Sequence, residues 1–489
     1  MAFNKKISFK HILNEVGTIR KAMNSEEMNR LLREIIGDYG ADSPIHSGLD
    51  YEDIKSHLGP FTLDEPGGFS AVESAIRAYL ETSVRTDHPG FLRAFWGGSE
   101  PASIVASLLS DIRNTTMHSF AVAPSATIVE NEMIQAISKL AGFPGHGIFT
   151  TGGSNSNEMG FLCAREEALP GSSKSGIQNE KLCAFTSAEA HYSVDAAANM
   201  IGIGTDALIR IPCNNGKMDP VALNEAIIES KERGDTPFIV LSTAGTTVRG
   251  EFDDLDAISD IAQAHGIWHH VDAAWGGAAL FSKTYKSLLK GIERADSISF
   301  DAHKMIGSSM VCSAFIVQDE KILPKTMAHT NRGDYLFDDP NRDYNLGRIS
   351  PQCGRRADAL KLWLTWLDLG TRGIGEKVDS CIEVSKHLAN LVSNNPKLSL
   401  VSFSFSNVCI RFTPRNGETV EEGDLRIRKA RNYLEDQAKS MVLDSILENQ
   451  LVIRFTASHP NVDKGAAEKF LSDLIEADEK NHSDSSKAA

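Results

Sequence analysis

The stretch from Phe238 to Val271 constrains the fold most. Phe238 to Thr243 (FIVLST) is an apolar run of strand length. Leu255, Ile258, Ile261 and Ala262 then recur at helical spacing between Asp253 and Gly266, and Ile267 to Val271 begins another apolar run. A strand, a helix and a strand in this order make a βαβ unit, whose parallel strands need helices on both faces. Leu182 to Ser187, Ser297 to Phe300 and Cys312 to Val317 read as further strands of the same sheet. The sequence therefore predicts an α/β fold with a mostly parallel central sheet.

Ligands in open α/β sheets bind beyond the carboxyl ends of the strands. Four polar clusters lie there: Ser187 to His191, Thr246 with Thr247, Asp272, and His303 with Lys304. Around this core the chain divides into a helical segment over 1–85, a large domain over 86–372, a small α+β domain over 373–475 and a polar, unstructured tail over 476–489. In the first segment Asn24 and Glu27 form a capping pair before the apolar stripe Met28, Leu31, Leu32, Ile35 and Ile36. A segment of amphipathic helices cannot bury much core alone, so it is expected to pack on a second subunit or on the body of the protein. Val408 to Phe412 and Leu451 to Phe455 read as strands of the small domain. Thr330 to Gly354 is a long polar loop, and loops of that length are uncommon unless they act as lids or are disordered.

Composition narrows the partners. Lys plus Arg number 50 against 65 Asp plus Glu, a net charge of −15 with no basic run to offset it. Such a surface repels phosphate backbones and anionic membranes. The seven cysteines are scattered and never form a CxxC pair, so they read as reduced thiols rather than a disulfide framework or zinc knuckle. The start, MAFNKKISFKHILNEV, lacks the apolar core of a signal peptide, and no stretch has the length of a membrane span. The expectation is a cytoplasmic protein acting on a small molecule.

Three signals carry chemistry. Thr150-Thr-Gly-Gly-Ser-Asn-Ser-Asn-Glu158 joins a strand to a helix and supplies glycines, hydroxyls and helix N-terminal N–H groups for an anion such as phosphate, or simply a well-capped turn. It matches neither GxGxxG nor a P-loop. In His269-His-Val-Asp-Ala-Ala-Trp275 a carboxylate follows a strand, and small neighbours leave room for a flat ring. The two histidines face opposite ways and have no partner at ligand spacing, so no metal is expected. In Ser299-Phe-Asp-Ala-His-Lys-Met-Ile-Gly a lysine follows a strand, where it is either a solvated turn residue or a nucleophile that forms an imine. Taken together, a phosphate cradle, a strand-end Asp272, a strand-end Lys304 and His191 about eighty residues before the aspartate are the parts that hold pyridoxal 5'-phosphate.

With GGSNSN, AHYSV, AGTTVRGEFD, HVDAAWGG, DAHKMIG, DYLF and QCGRRADALKLWLTW in this order, the chain resembles the group II pyridoxal-phosphate amino acid decarboxylases of fold type I, nearest the glutamate and cysteine sulfinate branch. The likeness runs from about His88 to Arg454. It implies that Lys304 bonds the cofactor, Asp272 pairs with its ring nitrogen, His191 stacks on the ring and Ala274 packs on the other face. Thr246 is implied on the ring-hydroxyl side, with Ser154, Asn155, Ser156 and His303 around the phosphate. Tyr335 matches a lid tyrosine that reaches a neighbouring subunit's site and returns the proton, and Arg454 an arginine that holds an acidic side chain. The resemblance implies a homodimer with active sites at the subunit interface, decarboxylating an acidic L-amino acid. Aromatic or diamino acid decarboxylases are the nearer rivals, and transaminases or carbon-carbon lyases the further ones.

Two departures stand out. The glutamate enzymes carry Asn-Gln where this chain reads Arg93-Ala94, so the glutamine that helps hold the distal carboxylate is absent. Arg93 offers a charged alternative or forms a surface ion pair. Animal members often have Asn where this chain has Asp301, an anion near the expected phosphate. Arg93, His303, Lys304, Arg454 and the cradle N–H groups are the expected positive island in an acidic protein.

Overall fold

A computed structural model describes residues 44–59, 61, 64–327 and 342–488, together with Arg30 and Leu336. Two helices lead in, α1 (Tyr51–Leu58) and α2 (Gly68–Thr82), followed by α3 (Pro101–Arg113) and α4 (Pro124–Ala141). The Asn24–Glu27 capping pair and Tyr335 lie outside the described residues.

The central sheet has seven strands: β1 (His146–Thr150), β2 (Leu182–Ser187), β3 (Leu208–Ile211), β4 (Thr236–Thr243), β5 (Trp268–Asp272), β6 (Ser297–Asp301) and β7 (Ser313–Val317), in spatial order β1-β7-β6-β5-β4-β2-β3. Neighbours from β6 through β3 run parallel, and β7 is antiparallel to both β6 and β1. All strands but β7 therefore point the same way and end on one edge. Thr150, Ser187, Thr243, Asp272 and Asp301 close five of them.

Strand alternation sorts side chains to the two faces. Ala184, Ile239 and Leu241 pack with Met159, Phe161 and Val194 from α5 (Gly153–Ala168) and α6 (Ser193–Met200). Phe185 and Val240 pack with Leu223, Ile227 and Ile258 from α7 (Pro220–Glu232) and α8 (Leu255–His265). Both faces are covered, as a parallel sheet requires. Asp219 and Asp254 cap α7 and α8 by accepting their first N–H groups.

The long helix α9 (Ala359–Ser393) breaks at Gly370, whose φ of 66° is left-handed, so two helical rods meet there. Beyond it lies an antiparallel sheet of β8 (Leu398–Ser404), β9 (Asn407–Phe412), β10 (Leu443–Leu447) and β11 (Gln450–Thr456) in order β8-β9-β11-β10, with α10 (Val420–Asp436) on it. Its core is continuous with that of the large sheet, since Phe455, Phe470 and Val408 join Phe300 and Trp275 in one cluster. The expected unstructured tail is a correction: α11 runs Lys464–Ala488. Phe470, Leu471, Leu474 and Ala477 bury one face of it, Lys480 pairs with Glu476 one turn back at 2.6 Å, and no proline or glycine follows Gly465.

Candidate active site

A cavity of about 520 Å³ opens at the carboxyl edge of the large sheet, and Lys304, Asp272, His191, His303, Ala274, Ser154 and Arg454 all line it. Strand endings, a helix start and the small sheet converge there. Gly152 and Gly153 begin α5 with no side-chain cap, so its first N–H groups are left for an anion at the wall. A side chain at Gly153 would come within 2.9 Å of Asp301 Oδ2 and 3.1 Å of Ala274 Cβ, so a larger residue there would require the Asp301 carboxylate to shift.

Asp272 is buried at the end of β5 and accepts from Asn157 Nδ2 (2.9 Å), Ala274 N (3.1 Å) and Ser299 Oγ (3.1 Å). Burial pushes its carboxyl up, but the Lys304 charge and the bonds from Asn157 and Ala274 outweigh it and hold it below the usual range. Asn157 is itself held: its Oδ1 is 3.0 Å from His270 Nε2, and His270 Nδ1 lies 2.8 Å from Ser297 Oγ. Sequence reasoning missed Asn157. It sits one turn into α5, where the buried face of the helix, not the cradle, was the signal.

Lys304 Nζ lies 3.1 Å from Asp301 Oδ2 and 5.7 Å from the centre of the Phe95 ring. Asp301 also accepts from Ser313 Oγ at 2.6 Å and has His303 Nε2 at 3.8 Å. The anion flagged in the sequence thus faces a lysine and a histidine. Burial lowers the pKa of both His191 and His303, which favours neutral rings at the wall.

Arg454 comes from β11, opposite Cys409 and Leu443 on the flanking strands. It is buried, donates to Thr247 O at 2.7 Å and to Arg93 O, and leaves Nε with no partner. Burial lowers its pKa to about 10. Its guanidinium carbon stands 4.6 Å from the Phe95 ring centre, and Phe95 stacks on Trp275 at 4.1 Å.

Other sequence candidates are placed elsewhere. Arg93 turns away to pair with Glu435 at 3.4 Å, as the ion-pair alternative had it, and only its carbonyl reaches Arg454. Asn155 bonds Glu158, and Ser156 bonds Thr150 inside the fold, so of the three hydroxyl and amide residues only Ser154 reaches the cavity. Thr246 is fully buried and its hydroxyl accepts from Glu251 N at 3.1 Å, while Thr243 and Thr247 line the wall. The turn after β4 reverses at Gly245, where φ is 91°, and this sets which threonine faces inward. Arg355 of the QCGR block pairs with buried Glu130 at 2.9 Å.

These residues fit pyridoxal phosphate. The wall offers a lysine for its aldehyde, a carboxylate held ionised for its ring nitrogen, an uncapped helix start for its phosphate and an imidazole and a methyl group for its faces. Thr243 Oγ1 is buried without a partner beside Asp272, its neighbour across the β4–β5 ladder, and is free to bond a ligand.

Comparison with known proteins agrees. A family model described as the pyridoxal-dependent decarboxylase conserved domain matches residues 55–413. The chain is 37% identical to the cysteine sulfinic acid decarboxylase of Rattus norvegicus over 402 residues, 78% of this chain and 81% of that protein. It is 37% identical to the acidic amino acid decarboxylase GADL1 of Bos taurus over 351 residues, 70% of this chain and 67% of that protein. The crystal structure of mouse CSAD in apo form superposes with a TM-score of 0.88 at 28% identity, covering 93% of this chain and 99% of that one.

Proposed function

Because this chain belongs to the pyridoxal-dependent decarboxylase family, we propose that it removes the α-carboxylate of an acidic L-amino acid as CO₂, leaving the amine. Both relatives named above are decarboxylases of acidic amino acids by name. The observation that carries the substrate class is Arg454, a buried cation on the cavity wall with no carboxylate partner among the described residues and an unsatisfied Nε. A buried guanidinium left so is costly unless a ligand anion completes it. It disfavours a diamino acid, whose distal ammonium it would repel.

Pyridoxal phosphate, when bound, supplies the electron sink that takes the pair left on the α-carbon as CO₂ departs. Lys304 supplies the amine that anchors it. Asp272, kept a carboxylate, holds a proton at the ring nitrogen. His191 and Ala274 hold the ring flat, and Ser154 with the first N–H groups of α5 bind the phosphate. Arg454 orients the acidic side chain, and Phe95 and Trp275 exclude water beside it.

A homodimer is part of the reading. Ile104, Val122, Ile128 and Leu367 are exposed apolar side chains, and α3, which carries Ile104, packs on α9, which carries Leu367. A second copy would cover them. The cytoplasm is the expected compartment, supported by seven free cysteines; among the described residues no helix is long and apolar enough to cross a membrane.

A panel of L-amino acids scored by CO₂ release tests the substrate class. Turnover of aspartate, glutamate or cysteine sulfinate is expected; turnover confined to aromatic or diamino substrates would overturn it.

A further inference from the structure

We propose that Asn407 is a positioning residue for substrate binding: its one buried amide fixes both the carbonyl to which Arg454 donates and the Trp275–Phe95 stack on which Arg454 lies, and so sets where the guanidinium meets the substrate's acidic side chain. The inference rests on the reading of Arg454 as the residue that holds that side chain.

Asn407 opens β9 and is fully buried. It stands opposite Thr456 of β11, next on the same face to the Cys409–Arg454 pair, so these four side chains leave the small sheet together. That face meets the turn after β4. Asn407 Nδ2 donates to Thr247 O at 3.2 Å and to Val248 O at 3.1 Å, and Oδ1 accepts from Trp275 Nε1 at 3.1 Å. Both amide hydrogens are used. The opposite amide orientation would set Oδ1 against two carbonyls and N–H against N–H, so these partners admit only one.

Two supports run from this amide to Arg454. Thr247 O also accepts from Arg454 Nη1 at 2.7 Å, so the amide and the guanidinium share one carbonyl oxygen and its two lone pairs. Trp275 stacks on Phe95 at 4.1 Å, and Arg454 stands over the Phe95 ring at 4.6 Å. The bond from Nε1 to Asn407 fixes the indole's polar edge and with it the rotation of the ring in that stack.

The turn stays on the small sheet without Asn407. Cys409 Sγ donates to Val248 O at 3.4 Å, Ser404 Oγ donates to Gly250 O at 3.2 Å, and Arg249 pairs with Glu189 at 2.8 Å and Glu448 at 2.9 Å. The amide bonds none of Lys304, Asp272, His191 or Ser154. Its loss therefore loosens the supports of Arg454 and spares the groups assigned to the cofactor.

The test is steady-state CO₂ release by full-length protein loaded with pyridoxal phosphate, using the best substrate among aspartate, glutamate and cysteine sulfinate. Asn407→Ala removes the amide; Asn407→Ser, which leaves a hydroxyl for the vacated groups, is the second variant should Ala fold poorly. KM is expected to rise about tenfold with kcat changed less than about threefold, the pattern of lost binding common to ground and transition states. Cofactor affinity, titrated by visible absorbance, should be unmoved. In an Arg454→Gln background the same substitution should change kcat/KM by less than about twofold, since a residue acting through Arg454 then has nothing to position. An unmoved KM overturns the proposal, as does an effect that adds in full to that of Arg454→Gln, or a loss of cofactor affinity alongside KM. Failure of both variants to fold overturns it too, because Asn407 would then serve the fold at large. Wild-type protein that turns over none of the three substrates, or Arg454→Gln that matches wild type, would instead fail the reading of Arg454 itself.

Discussion

Arg454 and Lys304 share one aromatic ring: the guanidinium carbon of the first stands 4.6 Å, and the ammonium of the second 5.7 Å, from the centre of Phe95. One cation comes from the small sheet and the other from the large one, so the cavity exists only where the two sheets meet. A substrate anchored at the lysine end therefore presents its side chain toward a fixed buried cation.

Removing that cation should cost substrate binding more than cofactor binding. Arg454→Gln is expected to lower kcat/KM for acidic substrates by at least about 100-fold, roughly 3 kcal/mol, the scale of a buried charge pair losing one partner. Cofactor absorbance should persist. Steady-state CO₂ release checks the first outcome and a visible spectrum the second. An unchanged KM and kcat would remove the role given to Arg454.

Asn157 should matter without touching the reacting bond. It donates to Asp272 at 2.9 Å, and a hydrogen bond to a charged acceptor contributes about 1.5 to 3 kcal/mol. Asn157→Ala is expected to weaken cofactor affinity about tenfold or more, read by equilibrium titration of the absorbance. Undiminished affinity would show that Ser299 and Ala274 suffice to hold the aspartate.

Acid should unfold this protein early. Burial lowers the pKa of His269 to about 3, of His270 to about 4 and of His459 to about 4, against an ordinary value of 6.5. The unfolded chain takes up protons at these sites below about pH 6.5 while the folded chain does not, so their contribution is whole above 6.5 and is lost as pH falls toward 4. The slope is about 1.4 kcal/mol per pH unit for each histidine. Asp253, raised by burial to about 6, and Asp296, also raised by burial, work the other way above the ordinary carboxylate value, but the histidines lowered by burial outnumber them, since His88, His191, His265 and His303 join the three. Urea midpoints measured from pH 7.5 to 4.5 should fall; a flat series would contradict the buried-histidine account.

What the sequence disclosed and what it hid follow one physical line. Apolar runs end where a strand leaves the core, so Asp272 and Lys304 could be read directly as strand-end groups. Periodicity says nothing about which way a side chain turns within a loop. Thr246 and Thr247 are indistinguishable in the sequence, and the left-handed Gly245 puts Thr247 on the wall. Arg93 and Ala94 adjoin, yet it is Ala94 that lines the cavity while Arg93 pairs with Glu435. The polarity of residues 476–489 suggested an unstructured tail, but the helix that Phe470 and Leu474 anchor ahead of it runs on to Ala488.

The most direct test measures CO₂ and amine together from purified protein supplied with pyridoxal phosphate and an acidic L-amino acid, beside Lys304→Ala. The account predicts one amine per CO₂ from the wild-type chain, with release lost in the variant. Release that persists undiminished without Lys304, or amine formed without CO₂, would contradict it.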